Sequence, residues 1–418
     1  MNCYLPYTAA INCIERPFFK ATESSVALLV AIAYFWAGAD TIAVSFPFGQ
    51  LKLATGIFLC LYFLLGKHIY YTRGELLCVI GIVASCIFSS MYSVEPSRSI
   101  AYTFLLLFNI VCVASVGKAL FSLSPEGFKA GLVLCARAQI LAGILIAALG
   151  LQARVSLFFY EPSFWAIALT PYLYITAKKH IAVSWPDWIL ILMAVQITMS
   201  ANLMLLVLVA IIVSNLSSLS LKSVVRMGIF LTIMGIGLGL YAQISDDLVA
   251  VTVRRILESD NVFQQCVERG GNRYPRMLVA LDVFQNNAIH GIGPGAYASF
   301  DKAEAIRNSY PDFFPYHNIA HSPATNVFIE MAAEGGILLL LSFLCYLFCG
   351  LRGKATDATL RNIVVVMLIG LLLESSMQRS YFWLLLGAAS FTYSGDQPKT
   401  ESWRVRRRRA IRKKLLEV

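Results

Sequence analysis

The stretch HSPATNVFIEMAAEGG, His321 to Gly336, sets an imidazole, an amide and two carboxylates just before a long apolar run. With a helix beginning near Pro323, Asn326, Glu330 and Glu334 fall four residues apart on one face. His321 stands at the entrance of that helix with His317 a turn earlier, and an imidazole titrates where a general base must. A second stretch, FFYEPSFWA from Phe158 to Ala166, places Glu161 before Pro162, which is a helix-start signal. Glu161 reads either as a capping carboxylate or as an acid–base group whose aromatic surroundings favour its protonated form. Five arginines, Arg254, Arg255, Arg269, Arg273 and Arg276, form a third set. Arg273 and Arg276 are three apart at the start of a predicted helix, so they point the same way. Arginine is suited to bidentate phosphate recognition, although charge alone favours a solvated face. GIGPG, Gly291 to Gly295, reads as a backbone turn, because Pro294 interrupts any dinucleotide-binding spacing. Arg98, Arg137 and Arg379 are weaker cases for holding a charged substrate, and Arg154 falls on the same outer side as Glu161. Arg137 falls inside a predicted span and needs a partner there, such as Glu95 or Glu374.

The elements that must position these groups are membrane helices. The 418-residue chain is 58% hydrophobic and 14% charged, with a mean hydropathy of +0.68. Soluble domains carry about 25% charged residues. Apolar runs recur at the length needed to cross about 30 Å of hydrocarbon. The predicted fold class is an all-α polytopic membrane protein of about twelve transmembrane helices. The spans are placed at 24–44, 50–66, 74–91, 99–121, 128–151, 162–178, 187–200, 202–219, 223–243, 323–350, 358–375 and 380–395. Lys67, Arg73, Lys118, Lys178, Lys179, Lys222, Arg226, Arg352, Lys354 and Arg361 cluster on every second connection. By the positive-inside rule that side and both termini are cytoplasmic. Residues 1–23 are then a cytoplasmic segment, 24–243 carry spans 1–9, and 244–322 form a periplasmic loop domain. Residues 323–395 carry spans 10–12, and 396–418 form a basic cytoplasmic tail. The loop holds seven Lys/Arg and nine Asp/Glu, and its RMLVALDVFQ segment has helical apolar spacing.

Ten cysteines suggest a disulfide framework by number, but most lie in apolar spans and none forms a metal-spaced CxxC pair. The tail from Lys399 to Val418 contributes nine Lys/Arg against two Glu to a net charge of +10. Beside a span it reads as a topology anchor that touches anionic lipid, not as a nucleic-acid site. The N-terminus lacks the pattern of a cleavable signal peptide, so the first span is expected to stay in the membrane.

Three pieces together carry a family resemblance. RYPRMLVALDVFQNNAIHGIGPGAYASF, TNVFIEMAAEGGILL and YEPSFWA resemble elements of the O-antigen polymerase and O-antigen ligase family of bacterial envelope polysaccharide enzymes. One position departs: where the family stretch begins His-Asn, this chain has Thr325-Asn326, with His321 four residues upstream. The base implied is therefore His321 or Glu161. The resemblance implies a metal-independent glycosyltransferase without cofactor, in the bacterial inner membrane, with its site facing the periplasm. It would polymerise undecaprenyl-diphosphate-linked repeat units into O-antigen or exopolysaccharide. Arg276, Arg273, Arg255, Arg254, Arg154, Arg137, Arg98, Asn326, Glu330 and Glu334 are the implied substrate-binding set. A chain-length regulator and a flippase are the implied protein partners. An O-antigen ligase, passing glycan to lipid A-core, is the alternative. A polytopic transporter is the reading from another class, and it should show matching repeats and interrupted helices in both halves.

Overall fold

Thr22 starts the first helix, α1 (Glu23–Ala37), by accepting the Ser25 N–H on its side chain. The helix does not continue to residue 44. The chain turns at Gly38 and forms a short antiparallel hairpin of β1 (Ala43–Phe46) and β2 (Gly49–Lys52), with Ala43 opposite Lys52. This corrects the all-α expectation locally. Thr41, Ile42 and Val44 are β-branched and favour an extended backbone, and Pro47 in the sequence cannot continue a helix.

The chain then runs through α2 (Leu53–Leu64), α3 (Arg73–Met91), α4 (Pro96–Phe108), a π-helical turn at Asn109–Val113 and α5 (Ala114–Leu123). Next come α6 (Pro125–Ala148), α7 (Pro162–Ala168), α8 (Thr170–Ala177), α9 (Trp185–Thr198) and α10 (Ala201–Leu216). Then follow α11 (Leu248–Glu258), α12 (Arg273–Asn286), a 3-10 turn at Tyr297–Ser299, α13 (Val327–Leu351), α14 (Ala358–Gly370) and α15 (Ser380–Ala389). This is a computed structural model, and it describes residues 22–39, 41–46, 49–66, 71–178, 183–216, parts of 228–245, 248–259, 261, 273–299, 323–352, 357–374 and 378–390. His321, His317, Arg269 and the basic tail lie outside the described residues.

Among the described residues, four segments are long and apolar enough to cross a membrane: Arg73–Met91, Pro96–Leu123, Pro125–Ala148 and Val327–Leu351. Shorter apolar helices include α1, α2, α9, α10, α14 and α15. Large apolar side chains point outward along them, including Leu76, Leu77 and Ile80 on α3 and Leu141 and Leu145 on α6. Helices greasy on the outside as well as within are what lipid, rather than water, demands. The interior is aromatic, with Trp165, Tyr172, Tyr174, Phe343, Tyr381 and Trp383 fully buried.

Among the described residues the most extensive helix pairings are α1 with α6, α3 with α13, and α5 with α15. The last is a close crossing of small residues. A Cβ on Gly117 would strike the Leu384 carbonyl, and one on Gly387 would strike the Ala114 carbonyl. Several of the charged groups are paired across helices. Thr72 and Glu75 form a capping box on α3, and Glu75 also receives Lys118 of α5 at 2.7 Å. Lys129 bridges Asp357 at 2.9 Å and Glu126 at 3.0 Å. Arg137 takes neither Glu95 nor Glu374 as its partner. It grips Asp187 through Nε at 2.7 Å and a terminal nitrogen at 2.8 Å, and Tyr172 donates to the same carboxylate at 2.7 Å. Sequence spacing could not have found Asp187, because α6 and α9 meet only in the fold.

Candidate functional site

The site is built around a break in α13. Asn326 is its N-cap, its side-chain oxygen accepting the N–H groups of Phe328 and Ile329 at 3.0 and 3.2 Å. Helix therefore begins at Val327 rather than Pro323, and the Asn326 oxygen serves the backbone. At Gly336 the backbone leaves helical geometry, with φ 67° and ψ −171°. Only glycine adopts that conformation readily. The freed groups go to the loop after α12. Ile292 N–H donates to Ala333 O at 3.1 Å, Gly293 N–H to Glu334 O at 2.8 Å, and Ile337 N–H to Ala288 O at 2.8 Å. The approach is too close for side chains, since a Cβ on Gly291 would meet the Glu334 carbonyl and one on Gly336 the Ile289 carbonyl. Ser89 of α3 adds a fourth tie by donating to Glu334 O at 2.6 Å.

The glycine-rich segment is therefore a turn, as the sequence suggested, and its donors are already used. The Glu334 carboxylate lies in it, accepting the backbone N–H groups of Gly295 and Tyr297, the latter at 3.4 Å. An inward-pointing side chain thus occupies the position an external anion would take in a phosphate cradle. A small apolar cluster of Val279, Val283, Ile292, Tyr297, Ala324 and Ala333 glues α12 and the turn to α13.

This scaffold aims two arginines. Tyr297 Oη donates to the Arg276 carbonyl at 2.7 Å, and Arg276 Nε donates to Pro323 O at 2.6 Å. Thr325 is buried and donates to the Arg273 carbonyl at 2.8 Å. Its hydroxyl ties helix to helix. Arg273 forms an ion pair with Glu374, which follows α14 and is 4% exposed. Burial pulls the Arg276 guanidinium below its ordinary proton affinity, and Tyr297, Glu161, Glu374 and Glu330 act in the opposite sense. Burial also pushes the Tyr297 phenol well up, so it stays a neutral donor.

Glu161 comes from the other half of the chain. Pro162 begins α7 as its residue type demands, but the Glu161 side chain makes no capping bond. Its carboxylate instead accepts from Ser163 Oγ at 3.2 Å. Glu161 is exposed while Ser163 and Glu374 are buried. Residues from α7, α12, α13 and the end of α14 thus converge around Arg276.

The other candidates are placed variously. Glu330 is electrostatically coupled to both Arg276 and Tyr297. Arg98 lies over the Tyr102 ring, 5.3 Å from its centroid, and acts on Glu334. Arg154 donates to the carbonyls of Thr198 and Met199, and Arg254 to those of Ala242 and Ser245. Arg255 is exposed on α11. Arg379 is buried with its guanidinium 3.8 Å from the centre of the Phe164 ring. The fold adds Glu374, Ser163 and Tyr297 to the site. Of these only Glu374 carried a sequence signal, as a carboxylate within an apolar run. Among the described residues, no three His, Cys, Asp or Glu side chains cluster to hold a metal ion.

A family model described as O-antigen ligase matches residues 188–344, from α9 through the break in α13. The match covers α12, the glycine turn and the entrance of α13. No curated protein matches the chain.

Proposed function

We propose that this chain, which the family match supports as an O-antigen ligase/polymerase-like membrane protein, polymerises undecaprenyl-diphosphate-linked oligosaccharide repeat units at the periplasmic face of the inner membrane. The observation that carries this reading is the convergence of Arg273 and Arg276 with the exposed carboxylate of Glu161 beside membrane helices. A glycosyl diphosphate needs fixed positive charge for its leaving group and a base for the attacking hydroxyl. The acceptor oxygen bonds to the anomeric carbon, and the bond from that carbon to the diphosphate oxygen breaks. The electron pair goes to the diphosphate, beside Arg276. The hydroxyl proton goes to Glu161, with His321 the alternative base. No step calls for a metal ion. The exposed apolar faces of the helices suit the polyprenyl tail.

The test is glycan extension by the purified protein in detergent with an undecaprenyl-diphosphate-linked oligosaccharide. Lengthened glycan on the carrier supports polymerisation, and translocation without extension would replace it with transport. The description of the matching family favours a second reading, transfer to a lipid acceptor as an O-antigen ligase. A strain lacking the protein separates the two. Loss of polymerase leaves single repeat units on the surface, whereas loss of ligase leaves none and accumulates carrier-linked glycan.

A further inference from the structure

Arg379 stands in an expensive place. It is the N-cap of α15, where the helix dipole is positive, and it is 7% exposed. Its guanidinium carbon lies 3.8 Å from the centre of the Phe164 ring, whose face attracts a cation. The chain on either side of Arg379 is fixed by the π-helical turn. Asn109 donates to the Gln378 carbonyl at 3.5 Å and accepts from Ser380 Oγ at 3.0 Å, so it brackets the arginine.

Phe164 follows Glu161 by three residues in α7, a helix of 7 residues that is too short to hold its own direction. Contacts from other elements therefore set where Glu161 stands. Before Glu161, Thr41 at the foot of the β1–β2 hairpin donates its backbone N–H and its hydroxyl to the Phe158 carbonyl at 3.0 and 3.1 Å. Phe159 tilts against Tyr381 of α15, with ring centres 6.2 Å apart. After Glu161, Arg379 covers Phe164, and Trp165 donates to Gln139 of α6 at 3.1 Å. The entrance of α15 thus touches the segment on both sides of Glu161, whose own side chain makes no capping bond.

We infer that Arg379 is a positioning residue: stacked on Phe164, it fixes the start of α7 and so the direction from which the Glu161 carboxylate meets the acceptor hydroxyl. The inference rests on the glycosyl-transfer reading above, with Glu161 as the base. Arg379 is buried against the ring, so its charge serves the helix start, and the diphosphate is left to Arg276. Misplacing a base by about 1 Å costs up to about 100-fold in rate. It leaves the hold on the diphosphate as it was.

The test uses full-length protein in detergent, with undecaprenyl diphosphate as the binding probe and an undecaprenyl-diphosphate-linked oligosaccharide as the extension substrate. Arg379→Met, which fills similar space without the planar cation, is expected to lower kcat about 30-fold and to keep probe affinity within about twofold. Phe164→Leu should do the same, and it covers the case of a misfolded Arg379 variant. The double variant should lose no more than about twofold beyond either single one, because both changes remove one stack. Arg379→Lys, a cation without the plane, should fall between Arg379→Met and wild type. Weaker probe binding by Arg379→Met would make the guanidinium a diphosphate ligand and overturn the inference. Losses that multiply in the double variant would overturn it too. So would a lower melting temperature with wild-type kcat per folded molecule, the mark of a purely structural role. Failure of the underlying reading shows separately. Wild-type protein that extends no glycan defeats transfer, and full extension by Glu161→Gln removes the base that Arg379 is inferred to aim.

Discussion

Arg276 is held by its own Nε on the Pro323 carbonyl and by Tyr297 on its backbone. That anchoring fixes the direction of the side chain, so the residue is positioned and not merely charged. Arg276→Lys keeps the charge but cannot hold the carbonyl and present a fork together. Its glycan extension is expected to fall by about tenfold or more, and that of Arg276→Ala by about 100-fold, with the protein still inserted. Initial rates in detergent check both. Thr325 teaches a different lesson. Its hydroxyl binds the Arg273 carbonyl, so a base is not missing there by accident; the position fastens two helices. Thr325→Val should cost about 1 kcal/mol of stability by thermal unfolding. Its extension rate should change less than that of Glu161→Gln, the substitution that removes the proposed base.

At the scale of elements, the break in α13 governs the site. Two turns of helix carry Glu330 and Glu334 before Gly336, and the apolar span follows after it. The glycine turn after α12 plugs into the gap. Gly336→Ala places a Cβ against the Ile289 carbonyl in a conformation an L-residue avoids. A cost of about 1–3 kcal/mol from the backbone alone is expected, with more from the clash. The variant should separate α12 from α13, and loss of a cross-link between cysteines introduced at Val283 and Ala333 would report it. Retention of both stability and the cross-link would mean the glycine is incidental. The π turn at Asn109 serves a similar end more quietly: buried Asn109 accepts from Ser380 at the start of α15 at 3.0 Å.

At the scale of the molecule, the charged groups among the described residues fall into two arrangements. Glu75–Lys118, Lys129–Asp357 and Arg137–Asp187 join helices in pairs, whereas Arg273, Arg276, Glu161 and Glu374 gather in one place. The first kind holds the bundle. Glu75→Ala strands Lys118, which is 4% exposed, and should cost about 3–5 kcal/mol. A lower melting temperature in detergent, or loss of protein from the membrane, would register it. Replacing both residues by apolar ones of similar size should recover most of that loss, because no charge is then left unpaired.

Apolar run lengths determined that the chain is made of membrane helices, since hydrocarbon leaves the backbone few alternatives. Pro162 and Pro96 marked helix starts, and the spacing of RMLVALDVFQ marked α12, because these signals are local. The arginines, Glu161 and Glu334 were legible as expensive groups in an apolar chain. Their partners were not. Arg137 could have met several carboxylates by sequence, and only the crossing of α6 with α9 chose Asp187. Glu374 gained its place only when the end of α14 came beside α7 and α12, more than 200 residues from Ser163 along the chain. Which costly groups exist is a property of residue type. Which of them pair depends on contacts between distant segments, and packing alone decides those.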